Sequence, residues 1–178
     1  MKNLNNYISE KLNIKDIKRQ YSCCPKTKEE LRDILEERLK EDKDANLNDI
    51  YVGEITYMDH LFYGLDPRNI DISEWDVSNV TNMDSMFAVC KEFNSDLSKW
   101  DVSNVIDMYT MFAGCKQFNS DLSKWDVSKV TDVRYMFYGC KNFRGDGLEK
   151  WNVSNVTNMD DMFSGCDSLK NKPSWYKK

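Results

Sequence analysis

The residues with chemistry to offer are one histidine, six cysteines and aspartates that recur at a fixed interval. Asp71, Asp96, Asp121 and Asp146 repeat a carboxylate along the chain, which invites a calcium reading. Calcium takes about six to eight oxygens and usually glycine-rich turns, and these loops hold few glycines. Asp and Asn beside Ser also close turns onto their own backbone, so we expect turns and no metal site. The cysteines show neither a C-x-x-C zinc pair nor a small secreted disulfide framework. Cys23 and Cys24 are adjacent, while Cys90, Cys115, Cys140 and Cys166 fall one per repeat. Reduced thiols, and hence a reducing compartment, are the expectation. His60 is expected to be an ordinary surface residue. No G-x-S-x-G, P-loop, H-E-x-x-H or dinucleotide fingerprint is present. We therefore predict no catalytic, cofactor-binding or metal-binding residue, and no enzyme.

The elements that carry these residues are repeats. "WDVSNVTNMDSMFAVC" at 75–90 returns as "WDVSNVIDMYTMFAGC" at 100–115, and twice more in varied form. Trp75, Trp100, Trp125, Trp151 and Trp175 mark the period, with one longer step where "RGDGLEKW" replaces "NSDLSKW". A weaker first copy has Ile50 in the tryptophan slot and Leu65 in the cysteine slot. Five units follow, at about 46–70, 71–95, 96–120, 121–145 and 146–170. Apolar residues align in columns: Val52, Val77, Val102, Val127, Val153; Ile55, Val80, Val105, Val130, Val156; and Phe62, Phe87, Phe112, Phe137, Phe163. A coil that cannot bury its own face makes a core by stacking on its neighbours.

Within a unit, "DLSKWDV" reads as a strand. "TNMDSMFAVC" spaces Met83, Met86, Phe87 and Cys90 as one face of a helix, with Thr81 as N-cap. The predicted fold is thus an α/β solenoid, a leucine-rich-repeat-like, right-handed stack of about five strand–turn–short-helix coils with an N-terminal helical cap. Strands spaced at about 4.8 Å and helices at about 8–10 Å would curve it, strands inside. Helix-borne cysteines at that larger spacing would lie too far apart to bridge, and act as small buried hydrophobes.

Residues 1–45 are expected to form the cap, 46–170 the solenoid and 171–178 a closing segment. "TKEELRDILEERLKE" (27–41) opens on Thr27 and Glu30, a capping box, and carries Leu31, Ile34, Leu35 and Leu39 on one stripe. An earlier helix is expected at about 4–19. Pro173 should stop the last helix and Trp175 close the last coil. The net charge of −5 argues against direct nucleic-acid or anionic-membrane binding. No apolar run nears the roughly 20 residues of a membrane span. The first residues lack an apolar signal core, so a cytoplasmic monomer is expected.

The units "WDVSNVTNMDSMFAVCKEFNSDLSK" and "WDVSNVIDMYTMFAGCKQFNSDLSK" resemble the repeats of the BspA-like leucine-rich-repeat surface-protein family over about 46–170. The resemblance implies a repeat scaffold for protein contacts, often at the cell surface, and supplies no catalytic residues. What varies between units is not dictated by stacking. Those slots hold Tyr57, Tyr63, Tyr109, Arg134, Tyr135 and Tyr138, which we predict to bind a partner protein as exposed hot-spot residues, unless they pack against neighbouring coils. The more uniform face bearing Ser98, Lys99 and Asp101 is a second option. The predicted function is a non-enzymatic protein-binding module. The alternative is an intracellular inhibitor, of mobile-element origin, that meets a cytosolic nucleic-acid enzyme through an acidic, tyrosine-bearing surface. A purely structural spacer is the third class.

Overall fold

The computed structural model describes residues 21–177. The helix expected at 4–19 lies outside them. The only α-helix among the described residues, α1, spans Lys28–Glu41, and one 3-10 turn spans Leu148–Lys150. Thr27 caps α1 by accepting the Glu30 amide at 3.2 Å. Glu30 reaches one residue past the cap, taking the Lys26 amide at 2.7 Å. Leu31, Leu35 and Leu39 are buried in the common core.

The predicted α/β solenoid of strand–turn–helix coils is not what forms. Among the described residues there is no sheet, only isolated parallel bridges, and no unit contains an α-helix. Each unit is instead a run of tight turns. In the second, the amides of Trp75, Val80, Met86, Cys90 and Phe93 bond to Ile72, Val77, Met83, Phe87 and Cys90 carbonyls, each three residues back. The apolar spacing that mimics a helix face therefore comes from turns with an apolar residue at both ends.

Positive φ angles stop those turns from becoming helix. The slot of His60, Ser85, Thr110, Tyr135 and Asp161 has φ from 48° to 56° in every unit. A second such slot holds Gly64, Val89, Gly114, Gly139 and Gly165. A left-handed residue at the third position of a turn reverses the peptide that would otherwise continue a right-handed helix. Alternate amides are thereby turned outward to the next unit. Met83, Ser85, Phe87 and Val89 donate to the carbonyls of Asp107, Tyr109, Met111 and Ala113 at 2.7–2.9 Å. Thr81, the expected helix cap, instead bonds the preceding unit, its amide meeting the Thr56 carbonyl at 2.8 Å.

The laps thus lie directly on one another, and the bridges Tyr57–Asn82–Asp107–Asp132–Asn158 keep like residues in register. Phe62, Phe87, Phe112, Phe137 and Phe163 stack face to face at 5.0–5.8 Å. Trp75 and Trp100 stack at 6.5 Å, and Trp151 and Trp175 at 6.2 Å. Each indole N–H donates to the previous lap, Trp100 to Ile72 and Trp125 to Leu97, both at 3.0 Å. The longer step is absorbed around Gly147, whose φ of 82° and approach to Ser123 leave no room for a Cβ: it would lie 2.2 Å from that of Ser123.

The turn reading of the aspartates is what the structure shows. Asp96 and Asp121 accept the amides of Ser98 and Ser123 at 2.9 Å. Asn79, Asn104 and Asn155 tie turn to turn through the carbonyls of Gly53, Ser78 and Ser128. Lys129, which interrupts that column, donates its ammonium to the Asn104 side chain at 2.6 Å.

The cysteine argument changes with the fold. Without helices the laps sit at the spacing of paired strands, about 4.8 Å, which is inside disulfide reach. Distance does not keep the thiols apart; direction does. Cys115, Cys140 and Cys166 each aim Sγ at the carbonyl of Phe87, Phe112 and Phe137 in the lap before, at 2.9–3.0 Å. Burial pushes Cys90 and Cys166 up to about 12 from an ordinary 9.0, and Cys115 and Cys140 well above it.

Three outcomes follow from this packing. Phe112→Ala should cost about 3–5 kcal/mol by denaturant unfolding, as a large core truncation does; wild-type stability would contradict the stacked column. Val89 is the single branched residue in the glycine slot, at φ 60° and half exposed. Val89→Gly should raise the melting temperature by releasing about 1 kcal/mol of backbone strain, and Gly114→Val should lower it. The thiols give a pH dependence. The folded chain keeps protons that the unfolded chain sheds above about pH 9, so stability is unaffected below that value. It falls from there towards about pH 12, by about 1.4 kcal/mol per unit per thiol. Melts across this range should show the fall, with a shallower slope for Cys115→Ala, while a thiol reagent modifies Cys23 and Cys24 and spares the four buried cysteines until unfolding.

Candidate functional site

The side chains predicted to bind a partner project from the turns that carry the bridges, not from helices. From the second lap to the fifth the bridging residue, Asn82, Asp107, Asp132 or Asn158, folds its side chain over the turn. Asp107 accepts the Tyr109 amide at 2.9 Å and Asp132 the Arg134 amide at 3.0 Å. The left-handed residue that follows, Thr110 or Tyr135, lies in the partly exposed rim of the turn. The backbone is thus fixed at the slots whose side chains vary.

Of the six predicted residues, the structure brings four together. Arg134 lies over the Tyr109 ring, its guanidinium carbon 4.9 Å from the centroid. Tyr109 meets Tyr135 edge-to-face at 6.1 Å, and Tyr135 meets Tyr138 at 5.9 Å. Asp132 holds the guanidinium from below, accepting Nε at 2.9 Å. Burial raises the Asp132 carboxyl, but the hydrogen bonds and charge of Arg134 outweigh it and hold the group below its usual range. Asp107 goes the other way. Burial and the neighbouring Asp84 and Asp132 carboxylates push it up, against the Tyr109 amide. A cation, three phenol rings and two carboxylates therefore form one patch across the third and fourth units.

Tyr57 and Tyr63 stand apart, in the first unit, 57% and 48% exposed. His60 packs its ring edge on Tyr63 at 5.9 Å and lies 3.7 Å from Asp59, which is also paired to Lys28 of α1. Between the two groups the second unit offers Asp84 and Ser85, with Ser85 bonded to Thr110 at 2.6 Å. The ridge is therefore two aromatic clusters separated by a small polar step.

An amide groove of about 560 Å³ was not foreseen as a feature. Asn94 accepts the Asn119 amide at 2.8 Å and Asn119 the Arg144 amide at 2.9 Å, with Gln117 and Asn142 joined beside them. The recurring "FNS" was the available signal. These bonds occupy the side-chain oxygens of Asn94, Gln117 and Asn119 in lap-to-lap pairing. Among the described residues no group of histidine, cysteine and carboxylates is arranged to hold a metal, and no helix is long and apolar enough to cross a membrane.

Comparison with known proteins places the chain in a family without lending it an activity. No curated protein and no solved structure matches it. A family model described as "Mycoplasma protein of unknown function, DUF285" matches residues 56–176, more than half of the chain and nearly all of the stacked region. The chain belongs to the DUF285 family.

Proposed function

We propose that this protein is a non-enzymatic binding module of BspA-like type, whose stacked laps hold the Tyr109–Arg134–Tyr135–Tyr138 patch rigid for a partner protein. The observation that carries the reading is the mutual contact of those four side chains on a backbone locked by neighbouring laps. Aromatic and arginine side chains supply contact area with little loss of freedom when they are already packed on one another. Arg134 is fixed by Asp132, so its charge is presented in one orientation. Family membership supports the reading, because the resemblance is to repeat proteins used for protein contacts. The six-residue ridge divides in this reading: the patch on the third and fourth units is the anchor, and Tyr57 with Tyr63 forms a separate outlying contact.

The test uses the double variant Tyr135→Ala with Tyr138→Ala. Both residues lie on the rim of the stack, so the melting temperature should stay near wild type. Immobilised wild-type protein should retain a specific protein from the cell of origin, and the double variant should lose about tenfold or more in affinity, the effect of removing a hot spot. Equal retention by both would remove the patch as the binding site.

A further inference from the structure

The two ends of the stack are chemically opposite. Along residues 58–64 and their equivalents the alternate amides point forward from each lap and the carbonyls between them point back, so that there the first lap exposes acceptors and the last exposes donors. At the first lap, α1 covers part of the acceptor edge, at Leu61 and Tyr63. Arg32 donates to the carbonyls of His60, Leu61 and Tyr63 at 2.8, 3.0 and 2.9 Å, and Lys43 to that of Leu65.

The other edge is left open. The carbonyls of Asn158, Asp160, Met162 and Ser164 accept from the fourth unit at 2.8–3.2 Å. The amides of Met159, Asp161, Phe163 and Gly165 have no partner among the described residues. Their counterparts Met108, Thr110, Phe112 and Gly114 all bond the next lap at 2.7–3.1 Å. Trp175 and Tyr176 cover the tryptophan and phenylalanine columns only. Val153, Val156 and Met159, whose equivalents are fully buried elsewhere, stay partly exposed. Val153 and Met159 border a cleft of about 490 Å³ with Trp175 and Lys177.

We infer that this C-terminal edge docks a segment of another protein that follows the same turns, laid parallel to residues 157–165. That segment would present backbone carbonyls at alternate positions and valine- or methionine-sized side chains to the cleft. The edge itself states this chemistry. A row of donors is complementary to a row of acceptors, and the same face in four earlier laps is covered by backbone of that pattern. A second copy does not fit. Two such edges would oppose donor to donor, and on the acceptor edge of a copy the carbonyls of Leu61 and Tyr63 are already bonded to Arg32. Strand addition at an open edge draws affinity from main-chain bonds and selectivity from alternate side-chain pockets. The inference stands apart from the tyrosine patch.

The probe is a synthetic peptide with the sequence of residues 101–114, added to the full chain. The four amides should exchange rapidly in the free protein and slow by about tenfold or more at saturating peptide, as closed amides do. Val156→Lys with Met159→Lys should abolish this protection, whereas Tyr135→Ala with Tyr138→Ala should leave it intact. Absence of protection with excess peptide would overturn the inference. So would amides already slow in the dilute free protein, or protection that instead grows with protein concentration as copies associate.

Discussion

Backbone amides that reach into the neighbouring lap, rather than back along their own, are the constraint on which the rest of this molecule depends. Each such bond is worth only about 0.5–1.5 kcal/mol net, but together they fix the register. Once residues a lap apart are superposed, like must pack on like. That is why phenylalanine meets phenylalanine, an indole N–H finds the leucine or isoleucine carbonyl before it, and a thiol finds a phenylalanine carbonyl. The cost is paid in backbone conformation. His60, Ser85, Thr110, Tyr135 and Asp161 all occupy the left-handed region that side chains disfavour. Without that reversal the amides would close a helix and the laps would share only side chains.

The columns were legible in the sequence because burial acts on composition: a slot sealed from water admits few residue types, and five copies of each make the pattern plain. The secondary structure was not. Met83, Met86, Phe87 and Cys90 satisfy a helical period, and two successive three-residue turns generate the same spacing. The glycines at 64, 114, 139 and 165 were the signal against helix, since glycine in that slot serves a positive φ. The strand reading of "DLSKWDV" failed similarly, because Asp96 and Asp101 each bend the chain by capturing an amide two residues on. The thiol spacing was drawn from the wrong element and fell with it.

The variable slots could be read from sequence as unconstrained by stacking. Their grouping could not. Tyr109, Arg134, Tyr135 and Tyr138 come from two units, and their contact depends on ring orientations that no period encodes. Tyr63 shares the slot of Tyr138, with Ala88 and Ala113 intervening, whereas Tyr57 sits in the bridging slot of Asn82, Asp107 and Asp132. Arg32 was equally hidden. Its position in α1 looks like one more solvent-facing charge, and its role appears only when the first lap's carbonyls are seen to lack amides.

Matching edges have a genetic corollary. Because the forward face of one lap complements the rear face of the next, a whole lap gained or lost would leave no mismatched seam. The single-residue excess accommodated at Gly147 shows that even imperfect copying is absorbed locally. The number of laps can therefore change without redesign of the interior.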